Sequence, residues 1–370
     1  MHRLTARVAP ALALAAALAL ASAAPALADP PQPIPVPPPA ATDIVGVGAQ
    51  VTESLFNQFS TDYNASLTAA GNTTSPRLYS WDSTGTTLIT PKSGSSSLVR
   101  PDRSNAGIIA LASTTSGTLD FARSTRGPKV DDSVNTLFVA MAKDAVSWAA
   151  PAGGHAPANL TTAQLRAIYT CTLTNWRQID PALPDATIRP MLAGHLLVTR
   201  SGVDGASMDS SGFFLQALDY YSAIVGDPWT DHSCVGVVER ENQGTDAVLH
   251  DPDVIVPYSV GRYVGQVYGG YSTPTDNPGV LVPRSVNNVQ PVNPTTHTIS
   301  APYSASAYGR VLYNTVRQSE WNALDAHGVA LRAIFGPSGW ICRSGTAAAD
   351  IRLHGFLPLP GPACGSHTHN

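Results

Sequence analysis

A cluster of hydrogen-bond donors lies in the segment Leu119–Pro128, which runs Leu-Asp-Phe-Ala-Arg-Ser-Thr-Arg-Gly-Pro. The polar side chains are Arg123, Ser124, Thr125 and Arg126, and Gly127-Pro128 ends regular structure after them. Arginine offers a fixed fork of N–H donors, and hydroxyls adapt to the remaining acceptor positions of an oxyanion. Taken alone, the segment is more typical of a solvated basic turn, so the oxyanion interpretation depends on the rest of the chain.

Other polar turns at predicted strand–helix junctions support that interpretation. One follows the strand that opens Asp43–Thr52, one is Arg100–Gly107 with Ser104 at its centre, and one runs from Thr199 to Gly212. Helix N-termini present free backbone N–H groups that bind anions. Because the first two turns and Leu119–Pro128 lie within roughly 80 residues, we expect one shared anion site at one edge of a parallel sheet.

The elements that position these turns are predicted from hydrophobic periodicity. Leu55, Phe59, Tyr63 and Leu67 recur every four residues and predict a helix, whereas the apolar run 135–148 predicts buried strands. Thr161 and Gln164 fit a capping box at a helix N-terminus. A further helix is predicted around Tyr308–Val316. The alternation of strands and helices indicates an α/β fold.

The N-terminus has the pattern of a secretory signal peptide, residues 1–28, with an Ala/Leu run and an Ala26-Leu27-Ala28 cleavage site. The Pro-rich stretch 29–42 reads as a linker. No cysteine adjoins the cleavage site and no later apolar run could span a bilayer, so we expect a secreted, extracellular monomer without lipid anchor or transmembrane segment.

The four cysteines agree with export. Three disulfide pairings are possible, and we favour Cys171–Cys234 with Cys342–Cys364 because each pair stays within one region of the chain. About 340 residues after cleavage exceed one typical core, so two domains are expected. A net charge of -4 argues against a nucleic-acid partner.

The pattern resembles the phosphate-binding proteins of ABC importers, which have the type II periplasmic binding fold. The resemblance spans roughly residues 44–356, and its most specific part is Asn159–Thr170 followed by Thr174-Asn175-Trp176. It implies a two-lobed α/β fold, each lobe a mixed sheet flanked by helices, with the ligand cleft between lobes. We expect lobe I to comprise 43–134 and 257–370, and lobe II to comprise 135–256.

The resemblance also implies the ligand and its contacts. A tetrahedral oxyanion, phosphate or a similar one, would be held between the lobes, with ABC importer membrane subunits as partners. The implied ligand-binding residues are Ala49, Gln50, Thr52, Ser104, Arg123, Ser124, Thr125, Arg126, Arg200, Ser201, Ser210 and Ser211. Thr125 replaces the Asp that such proteins use to accept the proton of hydrogen phosphate, which affects selectivity between phosphate and sulfate.

Two other functions are alternatives to solute binding. A secreted phosphatase would need a nucleophile elbow or metal-ligand spacing, and the sequence has neither Gly-x-Ser-x-Gly nor His-Glu-x-x-His. A secreted or cell-surface interaction module with a degenerate site would keep the fold and bind no oxyanion. We therefore expect a binding protein that is not an enzyme, with no cofactor and no metal.

Overall fold

The computed structural model describes residues 38–193, 198–199, 202–203, 209–218, 233–238, 240–270, 272–274 and 276–368. The predicted signal peptide and most of the predicted linker lie outside the described residues. Within these ranges, no helix combines the length and apolar character needed to cross a membrane.

Helices and strands both occur throughout the described residues. The helices are α1 Glu53–Ala69, α2 Ser104–Ser113, α3 Thr162–Tyr169, α4 Ser210–Ala217, α5 Val260–Val264, α6 Ala301–Ser304, α7 Gln318–Asn322, α8 Ala326–Phe335, α9 Trp340–Arg343 and α10 Gly345–Leu353. Short 3-10 turns occupy Gln50–Thr52, Trp176–Gln178 and Ala247–His250, and a π-helical turn occupies Gly265–Gly269. The strands are β1 Ile44–Gly48, β2 Leu78–Ser80, β3 Leu88–Ile89, β4 Leu98–Val99, β5 Phe121–Ser124, β6 Thr136–Pro151, β7 Asn159–Leu160, β8 Arg189–Ala193, β9 Val198–Thr199, β10 Gly202–Val203, β11 Gly236–Val238, β12 Val254–Ser259, β13 Leu281–Pro283, β14 Ser285–Val286, β15 Gly309–Arg317, β16 Leu357–Pro358 and β17 His367–Thr368.

One mixed sheet runs through the whole molecule in the order β11-β8-β12-β6-β15-β5-β1-β2, with β13, β16 and β17 also pairing with β6. The strands at each end are parallel: β1 pairs with β2 and β5, and β8 pairs with β11 and β12. The central strands β6 and β15 are antiparallel to each other and to their neighbours. Each parallel end therefore presents its carboxyl edge to a cleft, where helices follow.

The two lobes have separate hydrophobic cores, and β6 contributes to both because it is 16 residues long. Its first half, including Leu137 and Ala142, packs with Phe56 and Phe121 in lobe I. Its second half, from Ala145, packs in lobe II. Residues of the 260–308 region, including Val286 and Tyr303, also pack in lobe II. The cores thus divide the chain differently from the predicted boundaries at 134/135 and 256/257, since one continuous strand serves both lobes.

Several local predictions are confirmed, and one is wrong. The helix carrying Leu55 and Phe59 is α1, and the capping box of Thr161 and Gln164 opens α3. The helix predicted around Tyr308–Val316 is instead β15. The segment contains Val311, Tyr313, Thr315 and Val316, residue types that favour strands, and it lies between two strands, so strand packing prevails.

Both predicted disulfides are present. Cys171–Cys234 closes a 63-residue separation in lobe II, and Cys342–Cys364 closes a 22-residue separation in lobe I. Each bridge therefore ties one lobe internally.

Candidate functional site

The turn after β1 is the first wall of the cleft. Gly48 has φ +116°, and a Cβ there would lie 2.6 Å from the carbonyl oxygen of Arg123, so only glycine fits. Ala49 and Thr52 are buried, and Gln50 lines a cavity beside the turn. The Thr52 hydroxyl is buried without a hydrogen-bond partner among the described residues.

The fully buried Arg123 fixes this turn from behind. Its guanidinium donates to the carbonyl oxygens of Ala49 at 3.1 Å, Gly48 at 3.0 Å and Trp81 at 2.8 Å, and also to the hydroxyl of Ser80. Burial lowers the pKa of Arg123. Its N–H groups are thus directed at lobe I itself, and this arginine holds the shape of the turn.

The N-terminus of α2 forms the second wall. Ser104 Oγ accepts the backbone N–H of Thr125 at 3.0 Å and lies 3.2 Å from the Thr125 hydroxyl. A Cβ at Gly107 would come within 2.8 Å of the Gly48 Cα, so a small residue lets α2 pack closely against the first turn. The structure thereby brings together three of the predicted turns, as the sequence indicated.

Arg126 and Ser124 complete the third turn through local contacts. Arg126 forms a two-pronged ion pair with Asp132, with both N–O distances 2.7 Å, and its Nε donates to Asn105. The Ser124 hydroxyl donates to the Arg126 carbonyl at 2.8 Å. These groups brace the loop that carries Thr125.

The N-terminus of α4 forms the wall contributed by lobe II. The backbone N–H groups of Ser210 and Ser211 donate to Glu241 Oε1 at 2.6 and 3.4 Å. The Ser211 hydroxyl accepts the N–H of Ala193 at 2.9 Å. Arg200 and Ser201, which the sequence also predicted here, lie outside the described residues.

A second carboxylate crosses between the lobes. Asp209, just before α4, accepts the backbone N–H of Ser104 at the start of α2, with distances of 3.2 and 3.4 Å to its two oxygens. Burial raises the pKa of Glu241 to about 7, with the neighbouring charge of Asp209 adding to the rise and Arg310 opposing it. Each of the two helix N-termini therefore already holds an oxyanion group, a side-chain carboxylate.

A buried ion pair lies at the floor of the cleft, where the lobes join. Arg310 on β15 pairs with Asp144 on β6 at 2.8 Å and donates to Ser210 Oγ at 2.9 Å. Asp144 also accepts from the Ser259 hydroxyl and the Gly261 N–H. Arg310 Nη1 has no hydrogen-bond partner in the part of the chain that the structure describes.

The sequence pattern marks neither Glu241 nor Arg310 as a site residue, and Asp209 falls only within the predicted polar turn 199–212. A usable signal existed for Asp144, an acidic residue inside an otherwise apolar strand, because a buried charge needs a buried partner. Nothing in the local sequence marks Arg310 as that partner. Among the described residues, no group of three His, Cys, Asp or Glu side chains is placed to hold a metal ion.

Comparisons with known proteins address the fold. No family model matches the chain, and no curated protein matches it. Among solved structures, an ABC-type phosphate transport receptor from Vibrio cholerae is similar, with a TM-score of 0.52 and 16% identity over 86% of this chain and 100% of that one.

A second solved structure, a putative phosphate ABC transporter substrate-binding protein with bound phosphate from Clostridium perfringens, gives a TM-score of 0.55 at 11% identity over 86% of this chain and 100% of that one. At such identities the likeness concerns the fold. The predicted fold is confirmed: the chain has a two-lobed α/β architecture similar to that of these two structures.

Proposed function

We propose that this protein is a secreted solute-binding protein that captures phosphate or a similar tetrahedral oxyanion in the cleft between its lobes. Two solved structures of the same fold are a phosphate transport receptor and a putative phosphate ABC transporter protein with bound phosphate, which supports this ligand class. The binding groups would be backbone N–H groups and hydroxyls of both lobes, with Arg310 supplying positive charge. An ABC importer is the corresponding partner.

The observation that carries the proposal is the pair of helix N-termini facing one cleft, each already occupied by a carboxylate. The carboxylates of Asp209 and Glu241 stand in for the oxygens of a bound oxyanion at Ser104 and Ser210. The unpartnered Nη1 of Arg310 and the unpartnered hydroxyl of Thr52 add two buried donors. Burial of a donor without a hydrogen-bond partner costs free energy, and a ligand that accepts from these donors would remove that cost.

Binding then requires displacement of at least one carboxylate. Asp209 is the more readily displaced because its contact spans the lobes at 3.2 Å and more, whereas the Glu241 contact at 2.6 Å is internal to lobe II. The ligand would take the position of the Asp209 carboxylate at α2 while Arg310 balances the charge from the floor of the cleft.

Paired substitutions at Ser104 test the role of the α2 N-terminus. Ser104 is the first residue of α2, where proline is tolerated, and the extended Arg103 (φ -149°, ψ 171°) suits the residue before proline. Ser104→Pro deletes the N–H that holds the carboxylate, and Ser104→Ala keeps it, while both lose the hydroxyl.

Calorimetry of the phosphate-stripped mature chain should show that the wild type binds phosphate. The loss of phosphate affinity in Ser104→Pro should be at least tenfold greater than the loss in Ser104→Ala. Circular dichroism establishes that both variants are folded. Equal losses would contradict the role of this N–H group.

A second candidate function is a secreted interaction module whose oxyanion site is degenerate. The observation that favours it is again that a carboxylate occupies each helix N-terminus. Asp209 and Glu241 would block the site permanently if neither is displaced. Absence of heat with phosphate, sulfate and an organic phosphate, from a folded chain, would support this second candidate over the first.

A further inference from the structure

We propose that the preferred ligand is a phosphate monoester with a hydroxylated organic part, rather than inorganic phosphate. This inference rests on the proposed function and concerns the space beside the oxyanion position. The phosphate group would lie at the helix N-termini, and the organic part would extend past Gln50 into a neighbouring cavity lined by residues of both lobes.

The cavity is larger than a single tetrahedral anion needs. Its volume is about 540 Å³, and its lining comprises Gln50, Ser83, Thr84, Gly85, Thr86, Thr87, Val99, Arg100, Asp102, Arg103 and Arg240. Cavities that hold organic ligands span about 300–1,000 Å³. Arg103 directly precedes Ser104, and Gln50 belongs to the first turn, so the cavity adjoins the proposed oxyanion position.

The arginines of the cavity can donate hydrogen bonds to the hydroxyl oxygens of a neutral organic part. Three guanidiniums face one carboxylate, that of Asp102, which lies 3.4 Å from Arg103. Arg240, which follows β11 in lobe II, lines the cavity, and its side chain forms no hydrogen bond or ion pair with any residue that the structure describes. Its N–H groups are therefore available to the hydroxyl oxygens of a ligand that lies between the lobes.

The opposite wall is a hydroxyl-rich loop, residues 83–87. Arg100 donates to the carbonyl oxygens of Thr86 and Asp82 at 2.7 and 2.8 Å and so fixes the loop. Gly85 has φ +136°, and a Cβ there would lie 2.8 Å from the Arg100 guanidinium, which explains why glycine occupies this turn. The Thr86 hydroxyl is used inside the loop, where it donates to the Leu88 carbonyl oxygen at 2.8 Å and accepts from Arg100 at 2.9 Å. Thr84 and Thr87 also line the cavity, and their hydroxyls can donate to or accept from the hydroxyls of a sugar or polyol.

Calorimetry with four probes tests the inference: glucose 6-phosphate, inorganic phosphate, pyrophosphate and glucose. Glucose 6-phosphate should bind the wild-type chain at least tenfold more tightly than inorganic phosphate or pyrophosphate, and glucose should give no heat. Arg240→Ala should lower the affinity for glucose 6-phosphate at least tenfold and leave the affinity for inorganic phosphate within twofold of the wild-type value. Arg177→Ala, an exposed arginine paired with Asp185, serves as the matched control and should change neither.

The outcomes separate this inference from the proposed function. Tight binding of inorganic phosphate with weaker binding of the ester would overturn the inference and leave oxyanion capture standing, and a preference for pyrophosphate would do the same. Unchanged ester affinity in Arg240→Ala would also overturn it. No binding of any phosphate compound would overturn both.

Discussion

The helix N-termini of α2 and α4 face the same cleft, yet they are capped in different ways. At α2, in lobe I, the carboxylate of Asp209 comes from the other lobe and accepts the Ser104 N–H at 3.2 Å. At α4, in lobe II, Glu241 belongs to the same lobe and accepts the Ser210 N–H at 2.6 Å. Separation of the lobes therefore frees the N-terminus of α2 but leaves that of α4 capped.

The difference indicates where selectivity arises. Lobe I contributes neutral donors, and its arginines Arg123 and Arg126 are bonded to lobe I itself. Lobe II contributes both carboxylates. Under the proposed function, the carboxylates that oppose an anionic ligand at the two helix N-termini therefore both come from lobe II, whereas lobe I contributes N–H donors there.

Removal of a disulfide should have the largest effect on stability, and each lobe has one disulfide to compare. In the chain-entropy model, removal of Cys171–Cys234 should lower the free energy of unfolding by about 4 kcal/mol, and removal of Cys342–Cys364 by about 3 kcal/mol, because the separations are 63 and 22 residues. Paired Cys→Ser variants, unfolded in denaturant without reductant, measure both values. A larger loss for Cys342–Cys364 would contradict this ranking.

Arg310→Ala removes the buried cation at the floor of the cleft, together with its hydrogen bond to Ser210 at the start of α4. Asp144 would lose its buried ionic partner, and the cost should be about 3 kcal/mol or more in the free energy of unfolding. Arg177→Ala, which breaks a pair exposed by 58% and 64%, is the control and should cost less than about 1 kcal/mol. Equal losses in denaturant unfolding would show that the Arg310 pair contributes no more than a surface pair.

Glu241→Gln should change how stability depends on pH. The folded pKa of about 7 exceeds the ordinary value of 4.5, so the folded state binds more protons between these values and stability falls as pH rises through that window. Between pH 5 and pH 7.5, the free energy of unfolding of the wild type should therefore fall by on the order of 2 kcal/mol more than that of Glu241→Gln.

Asp132→Asn is the control for that experiment. Hydrogen bonds from Arg126 and from the backbone N–H of Lys129, together with the charge of Arg126, outweigh burial and lower the pKa of Asp132, so its contribution to stability is lost only as the pH falls below the ordinary range. Its stability difference from the wild type should be nearly the same at pH 5 and pH 7.5. Parallel wild-type and Glu241→Gln curves in thermal unfolding would contradict the raised pKa of Glu241.

Local chemistry was predictable from the sequence where it depends on neighbouring residues. The capping box at Thr161, the helix carrying Leu55 and the disulfide pairing all follow from short-range patterns or sequence separation. The meeting of Ser104 with Thr125 was expected as well, because turns after neighbouring strands share one sheet edge.

The remaining features depend on tertiary contacts that no short pattern encodes. Arg123 has the residue type of a ligand contact, but burial directs its donors to backbone carbonyls. Glu241 reaches Ser210, and Arg310 reaches Asp144, only because β11 and β15 take their places in one sheet. The segment 309–317 likewise becomes a strand because strands flank it on both sides.

The most direct test of the central claim is the affinity of Asp209→Asn for phosphate at pH 8, measured by calorimetry against the wild type. If the Asp209 carboxylate competes for the α2 N-terminus, the neutral amide should raise the affinity about tenfold, or about 1.4 kcal/mol. Asp185→Asn, on the surface, should leave it unchanged. Unchanged or weaker binding by Asp209→Asn would show that this carboxylate does not compete with the ligand, and would contradict the account.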